Sequence, residues 1–351
     1  MPSTSFLDYA RIILGWATVA LFLLVVLPGP PVVLLATVIA VILFCSFGVV
    51  KQAERLAVIL GDPYGSLVLT LSIVIIEVIL ILAVMLGPGE SASIARDSVM
   101  AVSLIIMALV VGTAFLLGGL RHGALTHNDT GAQTYLVLIL MLSVVAFAVP
   151  TFLGGQYGPG QGLFVAACTI VLYVFFLWRQ MGAQAGDFQD FGALGPTAPA
   201  FRGEVIFRIA LLVVTVLPIV WLSHDMAGLM DITLKQFGAP AALAGLAIAM
   251  IVFLPETITT IRAAWGAETQ RVINLAHGAL VSTLGLTIPS VLIIGTLTGQ
   301  QVILGETPIN LLLLGATILA TGMIFTARKI TAVHGAVLLM LFAIYMMALL
   351  S

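Results

Sequence analysis

Two glutamates, Glu77 and Glu256, stand inside long apolar runs, LVLTLSIVIIEVILILAVML and LAIAMIVFLPETITTI. They are the two of the chain's fifteen acidic residues that the hydropathy pattern places at mid-depth of a predicted span. A charge at bilayer depth costs roughly 3 kcal/mol on insertion scales, so such a residue generally has a function. Carboxylate oxygens bind hard cations and exchange protons. The pair therefore predicts a cation- and proton-binding site near the membrane midplane, shared by the two halves of the chain.

Polar neighbours lead toward the first glutamate. Ser66, Thr70 and Glu77 are separated by four and seven residues, so they share one helix face. We predict that this stripe contributes oxygen ligands on the way to the carboxylate. The alternative is that Ser66 and Thr70 only aid helix packing, as small hydroxyl residues often do in membranes.

A proline precedes the second glutamate. Pro255 has no N–H group, so the carbonyl of Ile251 should lose its helical partner and the helix should bend. A released carbonyl beside a carboxylate suits Ca²⁺ or Na⁺, which take several oxygen ligands. We therefore predict that the carbonyl of Ile251 is a ligand and that Pro255 is a structural kink.

The following span also contains a proline that should leave a backbone carbonyl without its helical partner. Pro289 should release the carbonyl of Gly285, unless it is an ordinary tolerated kink. Gly278, Ser282, Gly285 and Pro289 are spaced by four, three and four residues. This small-residue stripe predicts close approach of the Glu256 helix, with Ser282 and Gly285 as further candidate ligands.

The composition indicates a membrane protein with many spans. Hydrophobic residues make up 61% of the chain, charged residues 8%, and the mean hydropathy is +1.23. A net charge of −2 gives no indication of nucleic-acid binding. Cys45 and Cys168 are predicted to be unpaired apolar residues. The absence of a Walker A motif and of catalytic motifs predicts no enzyme activity, no cofactor and transport driven by ion gradients.

Apolar runs of about 20 residues are long enough to cross the hydrocarbon core. The fold class that they predict is an all-α polytopic membrane protein with about eleven transmembrane helices. The approximate spans are 9–27, 31–50, 64–86, 94–119, 132–152, 160–180, 203–223, 240–264, 270–298, 308–326 and 331–350.

The basic residues predict the orientation of these spans. Eleven of the thirteen fall on the side of the N-terminus, and Arg96 and Lys235 fall on the other side. By the positive-inside rule the N-terminus is cytoplasmic and the C-terminus lies outside, in what we predict to be the inner membrane of a bacterium. The bilayer, inorganic cations and protons are then the predicted partners, and no oligomeric state is predicted.

The chain also shows signs of an internal repeat. Glu77 and Glu256 lie 179 residues apart, and the helix-end glycines Gly118 and Gly295 lie 177 apart. The predicted organisation is a first helix (1–30), a first five-helix repeat (31–180), a central cytoplasmic loop (181–202) and a second five-helix repeat (203–351). Because five is odd, the second repeat enters the membrane from the opposite face, as in many secondary transporters.

Three further groups of polar residues lie in or beside the spans. Arg96 and Asp97 open the helix after Glu77, where they line a mouth or anchor the interface. His277 either titrates or packs inside its span. His224 and Asp225 are expected in a solvated outer loop.

Several stretches together resemble a known family. They are GDPYGSLVLTLSIVIIEVILI, IARDSVMAVSLIIMALVVGTAFLLGG, FLPETITTIRAAWGAETQRVIN and GALVSTLGLTIPSVLIIGTLTG. They are similar to the bacterial calcium/sodium–proton antiporters of the cation/calcium exchanger superfamily. The resemblance implies two repeats that each carry one acidic residue essential for cation binding, the roles of Glu77 and Glu256. It implies exchange of a cation for protons, with Ca²⁺ as the first candidate and Na⁺ and K⁺ left open as alternatives.

Two alternatives stay open at this point. One is a sodium–calcium exchanger without proton coupling. The other is an intramembrane enzyme or scaffold, in which the glutamates are general acids or packing elements.

Overall fold

The computed structural model describes residues 6–24, 29–60, 71, 74–79, 81–82, 85–86, 92–188, 202–238, 242–327 and 329–350. Over these residues the chain is helical apart from short connections, and no β-strand is present. The helices are α1 (Phe6–Leu24), α2 (Pro31–Leu60), α3 (Ile94–His122), α4 (Asp129–Phe152), α5 (Pro159–Met181), α6 (Arg202–Phe237), α7 (Ala242–Trp265), α8 (Thr269–Thr298), α9 (Pro308–Thr326) and α10 (Ala332–Leu349). A separate helical segment, residues 74–79, carries Glu77.

The number of membrane spans agrees with the sequence as far as the described residues extend. In that part of the chain nine helices are long and apolar enough to cross a membrane, or ten if the bent pair Gly245–Ile251 and Glu256–Trp265 counts as one span. Most of the span expected at 64–86 lies outside the described residues. The prediction of an all-α protein with many spans is confirmed, and the count of eleven stays a prediction.

Helix α6 is longer than the sequence analysis predicted. The span was expected to end at 223, with His224 and Asp225 in a loop, but the helix continues to Phe237. Its last turns contain no proline, and Lys235 Nζ donates to Asp231 Oδ2 at 2.8 Å. The helix ends next to Gly238, whose φ of +60° is left-handed and favours glycine.

Irregularities recur along the chain at the offset proposed for the repeat. A π turn interrupts α3 at Ile105–Val110 and α8 at Thr283–Thr287, and the two turns begin 178 residues apart. Asn128 caps α4 and Thr307 caps α9, at positions 179 apart. These correspondences support our proposal of two repeats, because unrelated helices would not share both features at one offset.

The chain divides into two compact units, and each takes helices from both proposed repeats. One unit comprises Met1–Ser91 and Leu194–Pro255, and the other comprises Ala92–Ala193 and Glu256–Ser351. The units therefore differ from a simple division of the sequence into two halves.

In the first unit α2 packs along α6, and α1 contacts both helices. Gly15 and Gly48 allow this contact, because a Cβ at Gly15 would lie 3.0 Å from both Cys45 and Pro218. A buried carboxylate, Asp8, binds Lys51 at 2.9 Å and lies 3.6 Å from Arg11. The first unit is thus held by close backbone packing with ion pairs at one end.

In the second unit the helices of one proposed repeat pack on helices of the other. Helix α3 packs on α10, while α8, its counterpart at the repeat offset, packs on α5. The remaining pair, α4 and α9, contact each other. Reciprocal contacts of this kind are what a pseudo-two-fold relation between two copies would produce.

The α3–α10 contact depends on glycines, and this gives a first testable prediction. A Cβ at Gly335 would overlap the backbone N of Leu116 and the carbonyl O of Gly112. Backbone atoms cannot rotate away, so Gly335→Ala should destabilise the protein by about 1–3 kcal/mol, as overpacking generally does. We expect a lower thermal unfolding temperature of the purified protein in detergent.

Gly315→Ala in α9 is the matched control, because a Cβ there would meet no atom within 4 Å. It should unfold at or above the wild-type temperature, since alanine is the better helix former. Equal unfolding temperatures for the two variants would contradict the packing described for α3 and α10.

Candidate functional site

Glu256 lies on the buried face of the second half of α7. Its exposed fraction is 3%, and Thr259 and Thr260 follow on the same face with 6% and 0%. Ala263 and Ala264 continue that face one turn further and are also buried. Two hydroxyl groups therefore accompany the carboxylate along one side of the helix.

Sequence reasoning missed these two threonines. Their signal was their spacing of three and four residues after Glu256, which places them on the carboxylate's face whatever the orientation of the helix. The Oγ1 atom of Thr260 has no hydrogen-bond partner among the described residues. A buried hydroxyl without a partner calls for an explanation, and binding of an ion is one.

Glu77 is even more deeply buried, with 1% of its surface exposed. It stands in the helical segment 74–79, where Val74 and Ile76 are buried and Ile75 is half exposed. Ser66 and Thr70, the predicted stripe toward Glu77, lie outside the described residues. Their role as ligands stays a prediction.

Ile251 and Pro255 both belong to α7, and Ile251 is buried. The two helical stretches that form the bent pair meet at the residues between Ile251 and Glu256. Coordination of a cation by the Ile251 carbonyl remains a prediction.

The small-residue stripe of α8 packs differently from the expectation. The nearest atoms to a Cβ at Gly278 belong to Tyr135 of α4, and those to a Cβ at Gly285 belong to Tyr173 of α5, at 2.9 Å. The stripe thus receives two aromatic rings rather than the helix of Glu256. The physical reason is that glycine has no side chain, so a ring can approach the helix backbone more closely there.

Ser282 takes part in the same contact. Its hydroxyl donates to the Gly278 carbonyl at 2.8 Å, and its Oγ lies 2.8 Å from the Tyr173 hydroxyl. Because the single hydroxyl hydrogen of Ser282 is engaged, Tyr173 is the donor to Ser282. The described contacts assign Ser282 to packing of α5 on α8, and a ligand role for it stays a prediction.

Pro289 lies two residues after the end of the π turn Thr283–Thr287. Pro150 stands in the same relation to the π turn Val144–Ala148 of α4. A π turn widens the helix by one residue, which accommodates a proline ring and its missing N–H. π turns of this kind frequently mark functional sites in helices.

His277 is fully buried in α8. Its ring lies 5.2 Å from that of Phe325 and 6.5 Å from that of Tyr135, centroid to centroid. Of the two interpretations offered by the sequence, these contacts favour a packed histidine.

A buried carboxylate outside the spans was also missed. Glu306 precedes α9, and its Oε2 accepts from Thr307 N at 3.0 Å and from Asn310 Nδ2 at 2.9 Å. Arg96 donates to the Gly305 carbonyl at 3.0 Å and lies 3.8 Å from Glu306 Oε1. Burial raises the pKa of Glu306, while Asn310 and Arg96 oppose the rise. Arg96 thus anchors the connection between α8 and α9, and its position at a mouth or at the membrane interface stays a prediction.

The family of the chain follows from comparison with known proteins. Residues 30–182 and 207–351 match the family model described as sodium/calcium exchanger protein. The chain belongs to this family. Membership confirms the interpretation as a secondary transporter and excludes the alternative of an intramembrane enzyme or scaffold.

Individual relatives cover nearly the whole chain. The protein y4hA of Sinorhizobium fredii is 30% identical over 95% of this chain and 93% of its own length. The sodium-potassium/proton antiporter ChaA of Escherichia coli is 28% identical over 91% of this chain and 90% of its own. The crystal structure of the H⁺/Ca²⁺ exchanger CAX matches with a TM-score of 0.76 and 16% identity over 97% of this chain and 88% of its own. The structural match confirms the fold.

Proposed function

We propose that this protein is a cation/proton antiporter that exchanges Ca²⁺, and also Na⁺ or K⁺, for H⁺. The observation that carries the proposal is the near-complete burial of Glu77 and Glu256, at 1% and 3% exposure, inside the apolar helices of an exchanger-family chain. The names of two relatives, a sodium-potassium/proton antiporter and an H⁺/Ca²⁺ exchanger, favour coupling to protons.

The chemistry follows from the burial of the carboxylates. A charged carboxylate inside a membrane is costly unless a positive charge compensates it. A proton removes the charge, and a bound cation balances it, so the two compete for the same oxygens. In the proposal both glutamates bind the transported cation, and Thr259, Thr260 and the Ile251 carbonyl are candidates for additional oxygens.

The basic residues support the orientation that we propose. The N-terminus is cytoplasmic and the C-terminus lies outside, in the cytoplasmic membrane of a bacterium. In inverted membrane vesicles a protease-sensitive tag placed after Ser351 should then be protected, because the outer face of the protein faces the lumen. Cleavage of the tag in sealed vesicles would contradict this orientation.

The same vesicles test the proposed exchange, in a strain without its own cation exchangers. Respiration acidifies the lumen, and Ca²⁺, Na⁺ or K⁺ is then added outside. At least one cation should discharge the proton gradient, because the cation enters as protons leave. The alternative of sodium–calcium exchange predicts no discharge, together with Ca²⁺ uptake driven by a sodium gradient.

A further inference from the structure

A groove of about 450 Å³ opens between α4 and α5. It is separate from Glu256 and its neighbouring threonines, none of which line it. Its volume falls within the range of roughly 300–1,000 Å³ typical of small-molecule sites. The groove therefore has the size of a small-molecule binding site. It is not part of the site that we propose for cation exchange.

The lining changes from polar to apolar along the helix axes. Thr130 and Gln133 in the first turns of α4 lie at the same end as Arg179 in the last turn of α5. Val137 and Phe175 line the deeper part and are 66% and 55% exposed. Val137 is eight residues beyond Asp129, so it lies about 12 Å further along the axis. One end of the groove thus belongs at the membrane interface and the other in the hydrocarbon.

Arg179 supplies a positive charge at the polar end. Its Nε donates to the neutral Gln184 side chain at 3.2 Å, and within the described part of the chain it forms no ion pair. Arg11, Arg208 and Arg271, in contrast, each pair with a carboxylate. The two terminal nitrogens of a guanidinium match two oxygens of a phosphate.

We propose that this groove binds the headgroup and upper acyl chain of an anionic phospholipid. Arg179 binds the phosphate, the hydroxyl and amide groups of Thr130 and Gln133 bind the remaining headgroup oxygens, and the acyl chain lies on Val137 and Phe175. A soluble phosphate would leave the apolar half of the groove without a partner. Phosphatidylcholine also offers a phosphate, but its choline group adds a positive charge near Arg179 and has no hydroxyl group for Thr130 and Gln133.

The experiment measures lipid binding to the purified, full-length protein in detergent. Phosphatidylglycerol and phosphatidylcholine are added separately, and native mass spectrometry and thermal unfolding report binding. We expect one phosphatidylglycerol to be retained per chain and to raise the unfolding temperature, with much weaker effects from phosphatidylcholine. Inorganic phosphate should have no effect. Equal retention of the two lipids would mean non-specific contact with the bilayer and would overturn the proposal.

Two variants, each with a matched control, locate the site. Arg179→Gln removes the charge and should weaken phosphatidylglycerol binding about tenfold or more. Arg271→Gln removes an exposed arginine that pairs with Glu268, and it should bind as the wild type does. Val137→Trp fills the groove and should also weaken binding, whereas Val171→Trp, on a 68% exposed position outside the groove, should not. Unchanged binding by Arg179→Gln or Val137→Trp would refute the site.

Discussion

Replacement of Glu77 or of Glu256 by glutamine should abolish cation-dependent proton movement. The amide keeps the shape of the side chain, but it neither carries a negative charge nor exchanges a proton. If both carboxylates bind the transported cation, one amide leaves the charge of a divalent ion half balanced in an apolar surrounding. In acidified inverted vesicles, every cation that discharges the gradient with the wild type should leave it unchanged with either variant.

Two further variants show whether the loss is specific. Glu306→Gln changes another buried glutamate, one that holds a connection outside the spans, and it should retain exchange. Thr260→Val removes one hydroxyl on the face of Glu256 and should weaken the apparent cation affinity without abolishing exchange. Membrane insertion of each variant is checked by its amount in the vesicles. Full activity of either glutamine variant at normal abundance would refute the proposed role of that glutamate.

The sequence predicted the parts of this protein that depend on local patterns. Long apolar runs identify spans because the bilayer fixes their length, and a carboxylate inside such a run is conspicuous. For this reason the helices and the two buried glutamates could be recognised without a structure.

Features that depend on neighbouring helices could not be predicted in the same way. The spacing of Gly278, Ser282 and Gly285 shows that something packs closely on α8, but not that Tyr135 and Tyr173 do so. Glu306 stands in the short connection before α9, where a glutamate is expected to be exposed, but it is buried and contacts Asn310 and Arg96. Similarly, His224 and Asp225 end the apolar run and suggest a loop, whereas α6 continues to Phe237 and ends next to Gly238 with its left-handed conformation.

The division into compact units was also beyond the sequence. A repeat in the sequence suggests two halves that fold separately, whereas the contacts pair α3 with α10 and α5 with α8. When two copies of a helical unit exchange contacts, each copy completes the packing of the other. Neither proposed repeat would then have a complete core of its own, which is consistent with their presence in one chain.

The apparent affinity for the cation should fall as the pH is lowered. In the proposed mechanism protons and cation compete for the carboxylates of Glu77 and Glu256, so acid stabilises the cation-free form. Where that form holds protons, each proton displaced on binding weakens the apparent affinity about tenfold per pH unit. Two carboxylates set an upper limit of two displaced protons, and therefore of about a hundredfold per pH unit.

The slope of this dependence distinguishes the two modes of exchange. It is measured as the apparent KM for each transported cation in proteoliposomes, over a series of pH values equal on both sides of the membrane. Where the cation-free carboxylates hold protons, proton exchange requires the logarithm of the apparent affinity to rise with pH with a slope between one and two. At higher pH, where the carboxylates are already charged without the cation, the slope should vanish. Sodium–calcium exchange without proton coupling instead requires a Ca²⁺ affinity that depends on the Na⁺ concentration and hardly on pH. A cation affinity independent of pH over the whole series would therefore rule out competition at the two glutamates, even if transport itself were observed.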